Sequence, residues 1–187
     1  MIRATALLIL ISLFTHKERA LAQAFQLPTP NRVIFLEGKE DKYFTPTVGR
    51  TWESGTFGCV RSDGWQMHEG IDIKCIERDK KGEPIDPVSA AADGVISYIN
   101  PKPGLSNYGN YIVMRHQIEG MAIYTLYAHL RRIAGGLKVG QFKKTGEIIA
   151  TMGRTANTRQ GISKERAHLH FEINVLANNS FTTWYKN

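Results

Sequence analysis

A chain of 187 residues with 42% hydrophobic content can bury one sizeable core and leaves little room for a second, so one domain with short extensions is expected. Lys and Arg outnumber Asp and Glu by 24 to 17, for a formal charge of +7. That basic excess favours anionic partners, although solubility alone can set such a balance.

The N-terminus carries Arg3, an apolar run from Ala4 to Phe14 and a polar stretch ending in Ala22-Gln23-Ala24, the three-part pattern of a secretory signal. Residues 1–24 are read as that signal, with cleavage after Ala24 or, alternatively, Ala22. The apolar run is about half the roughly 20 residues needed to cross a bilayer, so no stable membrane anchor is expected. No cysteine follows it, which argues against a lipid anchor; the charged Lys17-Glu18-Arg19 is unusual in such a segment. Removing 1–24 takes away three positive charges and one negative, leaving about +5. A periplasmic or secreted, cell-wall-associated protein of that charge meets wall glycans and membrane surfaces, not nucleic acid. A monomer is favoured.

Residues 25–51, with prolines at 28, 30 and 46 and no sustained period, read as a loosely structured lead-in to a main domain over 52–187. From there the pattern is β. Runs over 95–99, 111–114 and 122–127 are rich in β-branched and aromatic residues and are separated by Gly, Pro and Asn. Gly120 suits a hairpin turn between the second and third, and Gly135-Gly136 and Gly140 mark turns before a further run over 147–152. No window holds a helical period. The expected architecture is all-β, an antiparallel sheet or sandwich.

Two clusters carry the chemistry. In His68-Glu69-Gly70-Ile71-Asp72 the glycine and β-branched neighbours favour extended chain, which puts His68 and Asp72 on one face. In His168-Leu169-His170-Phe171-Glu172-Ile173 strict alternation puts His168, His170 and Glu172 on one face and Leu169, Phe171 and Ile173 on the other, toward a core. Such strands converge three ligands and leave a histidine beside them, and His129 follows the run ending Leu126-Tyr127-Ala128. A catalytic zinc takes three N or O ligands and keeps an open position. Cys59 and Cys75 could pair in an oxidising compartment or remain two buried thiols; Cys75, an odd number of positions from Asp72, faces away from the metal side. His16 falls in the signal and His116 beside a turn, and neither is assigned a role.

At these residues the sequence resembles the lysostaphin and LytM type of zinc endopeptidase, which cleaves amide bonds in peptidoglycan peptides. The matching stretches are Phe57-Gly58-Cys59-Val60-Arg61, His68-Glu69-Gly70-Ile71-Asp72-Ile73, Ala90-Ala91-Ala92-Asp93-Gly94-Val95, Tyr108-Gly109-Asn110-Tyr111, Tyr127-Ala128-His129-Leu130, Val139-Gly140-Gln141 and His168-Leu169-His170-Phe171-Glu172. The resemblance implies an antiparallel β fold with an open groove, Zn2+ held by His68, Asp72 and His170, and His129 and His168 as an unligated catalytic pair whose division of labour stays open. It implies peptidoglycan stem or cross-bridge peptides as partners. Glu172 either orients a histidine or is a solvated strand residue. The loop 153–167 is longer and more basic than the family pattern, which bears on the bond cleaved; the aromatic tail 181–187 matches nothing and is read as a core cap. The rival function is a non-catalytic LytM-type regulator that activates a wall amidase, and a wall-binding module is a second.

Overall fold

The computed structural model describes residues 25–61, 64–158 and 161–176; the signal segment 1–24 with His16, and the tail 181–187, lie outside the described residues. In chain order the strands are β1 (Val60–Arg61), β2 (Gln66–Met67), β3 (Ile71–Lys74), β4 (Pro87–Ser89), β5 (Gly94–Asn100), β6 (Tyr111–Ile118), β7 (Met121–Ala128), β8 (Arg132–Ile133), β9 (Phe142–Lys143), β10 (Ile148–Thr151) and β11 (His168–Val175). The fold is all-β and antiparallel. The main sheet has the order β3-β11-β7-β6-β5-β9, a smaller sheet the order β4-β10-β8, and β1 pairs with β2.

The runs read as strands over 95–99, 111–114, 122–127 and 147–152 form β5, β6, β7 and β10. The β6–β7 hairpin turns on Glu119 and Gly120, with φ of 49° and 81°. Both angles are positive, as the two-residue turns that match strand twist require, and glycine takes such an angle without steric cost. Both sheets share one core, in which Val88, Ile149 and Met152 from around the smaller sheet meet Ile73, Ile96, Met114, Tyr127 and Leu169 from the larger.

The segment 25–51 is irregular, with a 3-10 turn at Val33–Phe35 and one helical turn, α1 (Glu40–Tyr43), yet it is packed and not loose. Tyr43 is buried in the core. Thr45 N–H donates to the Asp72 carbonyl at 2.8 Å, Asn31 Nδ2 donates to the Lys74 carbonyl at 3.2 Å, and Phe44 bridges to Ile73. These contacts run along the outer edge of β3 and satisfy backbone groups that an edge strand leaves unpaired.

Two expectations change. Ile173 is 51% exposed and does not face the core, because β3 pairs with β11 only as far as Phe171 and the strand beyond has a neighbour on one side alone. The cysteines are free thiols: Cys75 is carried into the core, while Cys59 sits half-buried before β1 with Sγ toward the Val60 carbonyl. Burial, with the Asp86 charge second, pushes the Cys75 thiol up to about 11. Among the described residues no helix is long and apolar enough to cross a membrane.

Candidate metal centre

Strands β3 and β11 lie side by side with Asp72 directly opposite His170. Gly70 makes that approach possible, since a Cβ there would collide with the Phe171 carbonyl and the Glu172 side chain. His68 arrives from the β1–β2 hairpin, whose extension is held by His68 N–H to the Cys59 carbonyl and Gly58 N–H to the His68 carbonyl, both 2.9 Å. The ligand-type atoms of His68, Asp72 and His170 all lie within 4.8 Å of one another, and all three residues are buried.

The outward ring nitrogens fix the tautomers. His68 Nδ1–H donates to the Thr56 carbonyl at 2.8 Å, and His170 Nε2–H donates to Glu172 Oε1 at 2.8 Å. That leaves His68 Nε2, His170 Nδ1 and Asp72 Oδ1 facing inward, separated by 3.0–3.1 Å. With neutral imidazoles these are three lone pairs aimed at one another, an arrangement that needs a cation or a proton at its centre. A tetrahedral zinc with bonds of about 2.0–2.1 Å sets its ligands about 3.3 Å apart, so the spacing and the two-nitrogen, one-oxygen donor set both fit zinc. Burial opposes charge on His170, but the hydrogen bonds to Asp72 and Glu172 outweigh it and raise its imidazole to about 9. Burial likewise penalises the Asp72 carboxylate, and His168, His170 and His68 together hold it well below the ordinary range.

The remaining two histidines sit beside this centre, each oriented by a backbone carbonyl. His168 Nδ1–H donates to the Arg166 carbonyl at 2.6 Å, which turns Nε2 to 3.5 Å from Asp72 Oδ1. His129 Nδ1–H donates to the Thr155 carbonyl at 2.8 Å, and its ring centroid is 4.9 Å from that of His168 and 5.9 Å from that of His170. His129 has a φ of 60°, a left-handed conformation that few non-glycine residues adopt, and the backbone here is tied by His129 N–H to the Tyr108 carbonyl at 2.8 Å and Leu130 N–H to the Asn110 carbonyl at 3.0 Å. Burial is the leading cause that lowers both imidazoles, His129 to about 3. Both are therefore neutral at physiological pH with one nitrogen free to take a proton.

The structure brings together all five side chains singled out in the sequence, and adds three others. Glu172 is buried, not solvated; besides His170 it accepts from the Tyr108 hydroxyl and from Asn174 Nδ2, both at 2.7 Å. Burial works against its charge, and these three donors nevertheless keep it ionised. Tyr108 also lays its ring 5.4 Å from that of His170. Burial, and then Glu172, push its phenol well up, so it remains a donor. Arg61 Nη2 donates to Asp72 Oδ2 at 2.7 Å, occupying the carboxylate oxygen that faces away from the centre. Thr155 is the third: beyond its carbonyl, its hydroxyl accepts from Asn110 N–H and donates to the Leu130 carbonyl, both at 2.9 Å. The resemblance covers Tyr108 and Arg61, but nothing in their local sequence signals a partner so far along the chain.

Beside the centre opens a groove of about 630 Å³, lined by Asp72, His129 and His168 together with residues of the lead-in, Arg61 and Gln66 of the β1–β2 hairpin, and Ala156, Thr158, Ile162 and Arg166. Ahead of these loop residues, Arg154 does not line the groove and is tied to Glu83 by bonds of 2.9 Å.

An antiparallel β protein with a buried His-Asp-His set at the wall of an open groove has the donor set that could hold a metal cation. Residues 66–182 match peptidase family M23; the match spans more than half of the 187 residues, and the chain belongs to this family. Over 111 residues it is 32% identical to the DD-carboxypeptidase/endopeptidase Mpg of Neisseria meningitidis, covering 59% of this chain and 21% of that protein. The chain thus spans about a fifth of that curated relative. Among solved structures it is similar to the catalytic domain of the antimicrobial peptidase lysostaphin from Staphylococcus simulans, at 26% identity over 71% of this chain and 88% of that one, with a TM-score of 0.45. A zinc-containing peptidase from Vibrio cholerae is 25% identical, covering 82% of this chain and 34% of the other, with a TM-score of 0.43.

Proposed function

We propose that the chain is an exported zinc metalloendopeptidase that hydrolyses amide bonds in peptidoglycan stem or cross-bridge peptides, with His68, Asp72 and His170 holding the metal and His129 and His168 moving protons. The observation that carries this reading is the convergence of three lone-pair atoms at 3.0–3.1 Å next to two neutral imidazoles on an open groove. A zinc ion there would supply Lewis acidity and lower the pKa of a water molecule.

The chain's own residues supply the rest. The Arg166 and Thr155 carbonyls hold the Nδ1 protons of His168 and His129, so only Nε2 of each ring is free to accept a proton. Once protonated, either ring can return the proton to a leaving amine or stabilise a developing oxyanion. A regulator that only activates another enzyme has no use for a complete set of ligands and proton carriers, and completeness supports the enzyme.

The test is mass analysis of digests of purified peptidoglycan. New amine and carboxylate ends within peptides are expected, abolished by chelation and restored by zinc. New reducing sugar ends, or full hydrolysis after verified metal removal, would contradict the reading. Export is checked by the mature N-terminus, expected at Phe25.

A further inference from the structure

The groove that His168 lines also carries Arg50, Arg61 and Arg166, and Asp72 is the one carboxylate among its described lining residues. Arg61 is the partner of that carboxylate at 2.7 Å. Arg166 donates Nε to the Pro46 carbonyl at 3.0 Å, and Arg50 donates Nη1 to the Val60 carbonyl at 3.0 Å. Among the described residues neither has a carboxylate within ion-pair distance, whereas outside the groove Arg131 pairs with Asp79 at 3.1 Å and Arg154 with Glu83 at 2.9 Å. Arg166 is only half-exposed; with Nε anchored, its two terminal nitrogens are left for a ligand.

Position links this charge to the chemistry. Arg166 is two residues before His168, and its own carbonyl takes the His168 Nδ1 proton at 2.6 Å, so the guanidinium and the imidazole keep a fixed relation. A guanidinium fork matches the two oxygens of a carboxylate, and an unneutralised pair of forks at a concave wall draws anions from solution.

We propose that Arg166, assisted by Arg50, is a carboxylate-binding subsite of the groove, so that the preferred substrate is a peptide with a free carboxylate close to the scissile amide. The proposal rests on the peptidase reading. The carboxylate comes either from the end of a peptide chain or from an acidic side chain, and the chemistry of recognition is shared.

The test uses two pairs of synthetic peptides with the zinc-loaded chain. One pair differs only in a terminal carboxylate against a carboxamide, the other only in Glu against Gln beside the scissile bond. The acidic member of at least one pair is expected to show a kcat/KM about 10–100-fold higher, the scale of a charge-assisted hydrogen bond. The gain should lie mainly in KM and shrink with added salt; the pair that shows it identifies the source of the carboxylate. R166Q and R50Q should bring the ratio toward one, R166K should keep only part of it because the fork is lost, and R131Q should keep it all. Equal rates within both pairs would overturn the proposal, as would a ratio that survives R166Q and R50Q together. Should R166Q fail to fold, the wild-type ratios and R50Q decide. If no peptide is cleaved, the peptidase reading fails, and calorimetric binding of the same peptides judges the subsite: tighter binding of the acidic forms supports it, and equal binding sinks it.

Discussion

His170 and Glu172, two residues apart on one face of β11, share a hydrogen bond of 2.8 Å in which the imidazole Nε2 donates to the carboxylate. The bond commits one ring nitrogen outward and so directs the other at Asp72. Glu172→Gln should therefore keep the fold yet weaken zinc binding by about 10–100-fold, the usual cost of losing such an outer partner. Competition against a chelator of known affinity measures it; unchanged affinity would show that Glu172 is not what orients the ring.

Zinc affinity should depend on pH through His170. Against the cost of burial, the hydrogen bonds to Asp72 and Glu172 raise its imidazole to about 9, and the metal needs the neutral ring. Below that value each unit drop in pH reduces the neutral fraction tenfold, so affinity should fall about tenfold per unit from pH 8 to pH 6, with about one proton released per zinc bound at pH 7. Titration calorimetry in buffers of different ionisation enthalpy reads the proton count. A flat profile would mean that zinc displaces no proton from His170.

Holding metal and moving protons should separate by mutation. Asp72→Ala or His170→Ala should lose both zinc and turnover. His129→Ala and His168→Ala should retain close to one equivalent of zinc yet lose about 10²–10⁴-fold in turnover, the contribution of a positioned proton carrier. Zinc stoichiometry measured beside kcat for the folded variants decides it, and loss of zinc from His129→Ala as complete as from His170→Ala would contradict the assignment.

The cysteines should behave as two unlike thiols. Cys59 is partly accessible, while Cys75 lies in the core with its thiol raised to about 11. Alkylation of the native protein should label Cys59 first and Cys75 only on unfolding. A mass two units low with no free thiol would instead establish a disulfide.

The pattern of β-branched runs made β5, β6, β7 and β10 legible, because strand alternation and turn glycines are local properties. The spacings of His68 to Asp72 and His168 to His170 were legible for the same reason. Tyr108 was not: it meets Glu172 across 64 positions, and only the sheet order brings the loop before β6 over β11. The lead-in was misjudged because its few apolar residues carry no period; Tyr43 is buried by packing against β3, not by amphipathic patterning. Ile173 misled for a related reason, since alternation assigns a side chain to a face without telling where the layer covering that face ends.

The place of β11 between β3 and β7 has a kinetic consequence. His170 and Phe171 are paired on both sides, with Asp72 and Ile71 of β3 and with Ala128 and Tyr127 of β7, so exposing this stretch of backbone to solvent requires two ladders to part. Amide hydrogen exchange at His170 and Phe171 should be among the slowest in the molecule, with or without a metal. On the proposed reading, the Asp72 and His170 half of the centre is set by the sheet ahead of any cation, and only His68 is supplied from outside it.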